Sequence, residues 1–113
     1  MLPDVLHSLE KPVLFEKFKT QVIKDFELAG ASDHLPNLES NNLETLRSEF
    51  LNSITKLELS NALKVLLYRI DITELQIKQA TQKDSKIPLQ HALAELMIKR
   101  ILQKVILKEM YSG

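Results

Sequence analysis

The sequence predicts an all-α fold, a compact bundle of four to five helices with a long, largely buried C-terminal helix, in a single domain spanning residues 1–113. Three observations carry that reading. Apolar residues recur at three- and four-residue spacing along most of the chain, the period that gathers them on one side of a helix. The punctuation is helical: Pro12 and Pro88 stand where helices can begin and Gly30 where one can end. With only two glycines and few β-branched runs bounded by turn residues, strands find little support.

Residues 3–10 form a short opening turn, with Val5, Leu6 and Leu9 at helical spacing. A first helix starts near Pro12, whose missing N–H would be unpaired in a first turn anyway. Leu14, Phe18, Val22 and Phe26 recur every four residues, Phe15 and Ile23 widen the stripe, and Gly30 supplies a left-handed C-cap. Residues 30–40 read as a long loop. Asn41 and Glu44 resemble a capping box opening a second helix, whose stripe is Leu43, Leu46, Phe50, Ile54 and Leu57. Ser60 and Asn61 interrupt that helix by offering the backbone local hydrogen bonds; one helix bent near Ser60 is the competing reading. A third helix runs to about Ile70, with Ala62, Leu63, Leu66, Leu67 and Ile70 on its apolar face. Thr73 and Gln76 then match a capping pattern for a short polar helix through about Gln82, and Lys83–Ile87 is a loop.

From Pro88 to about Met110 runs the last helix. Leu89, Leu93, Leu96, Met97 and Leu107 point within about 80° of one another at 100° per residue. Ile98, Ile101, Leu102, Val105 and Ile106 fill the opposite and flanking directions. A helix apolar on so many sides is buried on several of them. The core is expected to pack through Phe15, Phe18, Phe26, Phe50, Leu66, Leu67, Leu93 and Leu96; Ile98, Leu102, Val105 and Ile106 are the candidate interface, and they decide whether the last helix is a central core helix or also part of a shared surface.

Composition narrows the chemistry. The absence of cysteine excludes disulfides, thiolate catalysis and Cys-ligated metal, and fits a reducing compartment. No apolar run reaches the length of a membrane span, because Lys99, Arg100, Lys104 and Lys108 break the last helix, and nothing resembles a signal peptide; a cytoplasmic location is expected. Fifteen basic and fifteen acidic residues cancel, which argues against a dedicated nucleic-acid binder. The halves differ, with six basic and ten acidic groups in residues 1–58 and nine basic and five acidic in residues 59–113. Such halves attract one another within a chain or between two copies.

Two glycines cannot build a phosphate-binding loop, and no cofactor is expected. His7, His34 and His91 lack metal-ligand spacing. His91 with Glu95 reads as a surface pair one turn apart, and Asp33 with His34 as a turn. Tyr68, Arg69 and Asp71, at a junction between helices, form a candidate polar site, although Arg69 paired with an acid and Asp71 serving the helix end are the favoured roles. Arg100, Lys104 and Lys108 form a candidate basic edge one turn apart; cations there also complement the helix dipole and snorkel over apolar surface. The function expected is that of a non-enzymatic, adaptor- or scaffold-type interaction protein, self-associating as a homodimer or meeting a helical protein partner. The alternative is a regulatory nucleic-acid-binding protein using the basic edge.

Overall fold

A computed structural model of the chain describes residues 5–83 and 86–111. A 3-10 turn, Val5–Glu10, leads into α1 (Pro12–Leu28), and a second such turn, Ser32–His34, lies before α2 (Leu43–Leu57). There follow α3 (Ala62–Ile70), α4 (Glu74–Lys83) and α5 (Leu89–Tyr111). The all-α bundle is as expected, and α5 packs on α1, α2, α3, α4 and the opening turn. The break at Leu57–Ala62 separates two helices; the bent single helix is not formed.

The helix ends follow from local chemistry. Gly30 takes φ +72° one residue beyond the cap, so that its N–H reaches Glu27 O (3.1 Å) and the Ala31 N–H reaches Phe26 O (2.8 Å). These two bonds close α1 in a Schellman motif. The same pair of bonds ends α3, where Asp71 N–H donates to Tyr68 O (3.0 Å) and Ile72 N–H to Leu67 O (2.9 Å). There the left-handed residue is Asp71 itself, at φ 70°. The Thr73–Gln76 capping box forms in both directions, at 2.9 and 3.1 Å. The cap of α2 is shifted by one residue from the expected Asn41. Asn42 Oδ1 accepts from the Thr45 N–H (3.0 Å), and Asn41 instead donates to Leu9 O (3.1 Å), tying the opening turn to the start of α2. Of the Lys83–Ile87 loop, Lys83 ends α4, and Asp84 and Ser85 lie outside the described residues.

The buried side chains form one cluster at whose centre Phe50 meets Phe18 (ring centroids 6.2 Å) and, edge-on, Phe26 (6.4 Å). Leu67 and Leu96, expected in the core, are only partly buried.

The larger correction concerns α5. Ile98, Ile101, Leu102 and Val105 are buried by the chain's own helices, as are Leu93 and Met97 at the edge of the leucine stripe, whereas Leu89 and Leu107 are about half exposed. The reason is charge. At about 100° per residue, the leucine stripe of α5 has Arg100 and Lys104 near its middle, so turning it inward would bury two cations. The Ile98–Val105 side carries none. Ile98, Leu102 and Val105 therefore belong to the core and are not a shared surface; Ile106, beside them, is partly buried.

Candidate functional site

A concavity lies between α2, α4 and the first half of α5. From α2 it takes Glu44, Arg47, Ser48 and Leu51, whose i, i+3, i+4, i+7 spacing places them on one side of the helix. From α5 it takes His91, Ala92, Glu95, Leu96 and Lys99, again at helical spacing. Ala80 of α4 and the Lys86–Pro88 segment complete a half-open groove of about 620 Å³. α4 is a thin wall, since none of residues 74–82 is fully buried.

One ionic cluster holds the groove's side. Arg47 grips Glu95 through Nε (2.5 Å) and Nη2 (3.0 Å), and its Nη1 donates to Glu44 (2.6 Å). Lys99 adds a longer contact to Glu95 at 3.7 Å. The hydrogen bonds from Arg47 hold the Glu95 carboxyl below its ordinary range, outweighing the opposing effect of partial burial, and Glu95 in turn raises the guanidinium. Both groups are thereby fixed in their charged forms. That suits a binding clamp and does not suit proton transfer near neutral pH.

The expected His91–Glu95 surface pair is thus replaced by a pair spanning 48 residues, Arg47–Glu95. Arg47 stands one turn after Leu43, at the edge of the apolar stripe of α2, and periodicity carries no signal about which helix it faces.

The other candidates fall elsewhere and do not converge. Tyr68 is exposed, as is Arg69, whose side chain makes no ion pair among the described residues. Asp71 serves the end of α3, as expected, and also pairs with Arg100 (2.8 Å). None of the three lines the groove.

The basic edge is consumed within the fold. Arg100 binds Asp71 and Gln103 (3.0 Å), Lys104 binds the buried Asp25 (3.2 Å) and Arg69 O (3.1 Å), and Lys108 binds Gln21 Oε1 (2.7 Å). Lys17 extends the series to Glu109. Residues 17, 21 and 25 of α1 thus meet 109, 108 and 104 of α5 in opposite order, fixing an antiparallel register. Asp25–Lys104 joins the two halves of the chain in the sense of their charge asymmetry, whereas Lys17–Glu109 and Arg47–Glu95 run against it.

Among the described residues, no group of three or more His, Asp or Glu is placed to hold a metal ion, and no helix is long and apolar enough to cross a membrane. Comparison of the chain with protein-family models, with curated proteins and with solved structures finds no match in any of the three.

Proposed function

We propose that this chain is a non-enzymatic interaction protein that self-associates through the outer side of the end of α5. The observation that carries this reading is the trio Leu107, Met110 and Tyr111. Their i, i+3, i+4 spacing puts them together on one side, and they remain 46%, 69% and 82% exposed. Length explains why they lack cover. At about 1.5 Å per residue α5 is about 35 Å long and α4 about 15 Å, and α4 packs at the groove end of α5. Among the described residues no helix covers the far outer side of α5, and Ile106, partly buried, adjoins it. A second α5 laid across this turn would remove apolar surface from both copies, and a zero net charge opposes that approach with no long-range repulsion. Relative to the sequence expectation, the interface moves outward from Ile98, Leu102 and Val105.

Light scattering coupled to size exclusion, from micromolar to millimolar concentration, tests the proposal. The expected result is a dimer whose dissociation is concentration-dependent, and whose variants Leu107→Glu and Met110→Glu are monomers with unchanged helicity and melting temperature. A chain that stays monomeric across that range refutes it, as does a dimer indifferent to both substitutions.

A further inference from the structure

We propose that the groove between α2, α4 and α5 is a binding site for a free aliphatic carboxylate, the acid seated on Arg47 and Lys99 and the chain laid toward Pro88. Its volume, about 620 Å³, falls in the range of about 300–1,000 Å³ typical of small-ligand sites. Pro88 and Lys99 stand about 16 Å apart along α5 at 1.5 Å per residue. The lining near Pro88 includes Ile87 and Ala92 with Lys86 and His91 beside them, Ala80 and Leu51 add apolar wall, and the Arg47–Glu95–Lys99 cluster stands further along α5.

The sign of the head group follows from which donors and acceptors remain. Glu95 has both oxygens on Arg47, and the other carboxylate, Glu44, is 82% exposed to water, so an ammonium group would find no sheltered carboxylate to bind. Arg47 has five N–H donors, of which the two glutamates use three. Lys99 brings three more donors and reaches Glu95 only at 3.7 Å. The bidentate grip of Glu95 fixes the guanidinium plane, leaving Nη1 to a carboxylate already present, that of Glu44. The Glu44 side chain is 82% exposed and sits on its own helix at i, i+3, a pairing that water competes with easily. It marks where an incoming carboxylate binds and is readily displaced by one whose hydrocarbon is buried at the same time. Arg–carboxylate bonding supplies direction and the apolar wall supplies the partition from water.

Calorimetry and amide-resolved NMR titration of the full chain, with decanoate, decanol, decylammonium and N-acetyl-Leu-Leu below micelle-forming concentrations, test the site. Decanoate should saturate one site about tenfold more tightly than the alcohol or the amine, the discrimination expected of a charge-assisted pair. Its shifts should centre on Leu51, Ala92 and Leu96. Glu44→Gln should tighten decanoate about threefold by releasing Nη1 and leave decanol unchanged; Lys99→Gln should weaken decanoate and leave helicity intact. Equal affinity for the three decyl compounds overturns the proposal, as does the lack of saturation at millimolar ligand or a set of shifts lying outside the groove. Tighter binding of the dipeptide than of decanoate also overturns it, by assigning the site to a peptide C-terminus.

Discussion

Removing Lys104 should destabilise this protein more than removing the charge of its partner, although each substitution deletes one end of the same ion pair. The asymmetry lies in where each side chain stands. In the Asp25–Lys104 pair the carboxylate is 3% exposed and the ammonium 23%. In Lys104→Met the Asp25 carboxylate stays buried between α1 and α5 with, among the described residues, only Gln21 Nε2 (3.0 Å) to serve it. Breaking a buried pair in this way costs about 3–5 kcal/mol, and the surviving amide bond sets the lower end, about 3 kcal/mol. At about 4 °C per kcal/mol for a chain of this size, the melting temperature falls by about 12 °C. Asp25→Asn leaves an ammonium that can slide toward water and keep its bond to Arg69 O, so its cost is about 1–2 kcal/mol. Asp25→Leu with Lys104→Met removes both charges and should return to within about 1 kcal/mol of the parent. Urea unfolding followed by far-UV circular dichroism measures all of these variants. A Lys104→Met loss no larger than that of Asp25→Asn refutes the burial reasoning, and so does a double variant as weak as the sum of its single changes.

Two further substitutions probe backbone and pH. Gly30→Ala should cost about 1–2 kcal/mol, all of it backbone strain, because φ is +72° while a new Cβ meets nothing within 4 Å; a denaturation midpoint equal to that of the parent would show that the α1 cap tolerates a side chain. Glu95→Gln should lose about 1 kcal/mol at pH 7, discounted for a pair that is partly exposed. Because Arg47 holds the Glu95 pKa below its ordinary 4.5, that contribution is fully present above pH 4.5 and fades as pH falls through the lowered value. Parent and variant should therefore differ at neutral pH and converge in acid; a gap that widens on acidification contradicts the pairing.

Features set by a few neighbouring residues were legible in the sequence. Pro12, Gly30 and the Thr73–Gln76 box act within one turn of the backbone, and each does what its type implies. The cap of α2 shows where such reading stops. Asn41 and Asn42 are equivalent by type, and the choice was made by Leu9 O, 32 residues away, which takes the Asn41 amide. The groove was hidden for the same reason. Glu44, Arg47, Ser48 and Leu51 visibly share a side of α2, but only the packing of α2 on α5 brings Glu95 opposite Arg47. Likewise the spacing of Arg100, Lys104 and Lys108 was readable as a basic edge, and the acceptors that bind it, Asp71, Asp25 and Gln21, lie on α1 and at the end of α3.

The rotation of α5 about its own axis was the least legible feature, because apolar residues surround the helix and hydrophobicity alone does not choose a side. Two cations do. With Arg100 and Lys104 near the centre of the leucine stripe, the buried side turns toward Ile98, Ile101, Leu102 and Val105 and takes in Leu93 and Met97 at the stripe's edge. Their bonds to Asp71 and Asp25 then hold the helix there. On this reasoning the charges select a packing more than they stabilise it, as buried polar groups do in some other folds. A triple variant, Asp25→Leu, Arg100→Leu and Lys104→Leu, leaves no carboxylate orphaned in the core and gives α5 two nearly equivalent apolar sides. It should keep its far-UV helicity and lose the dispersion of its methyl NMR resonances, the behaviour of a core that is collapsed but not unique. The double variant Asp25→Leu, Lys104→Met still has Arg100 on the leucine stripe and should keep that dispersion. A triple variant with one sharp, well-dispersed set of methyl signals would mean that side-chain shape, and not charge, sets the rotation of α5.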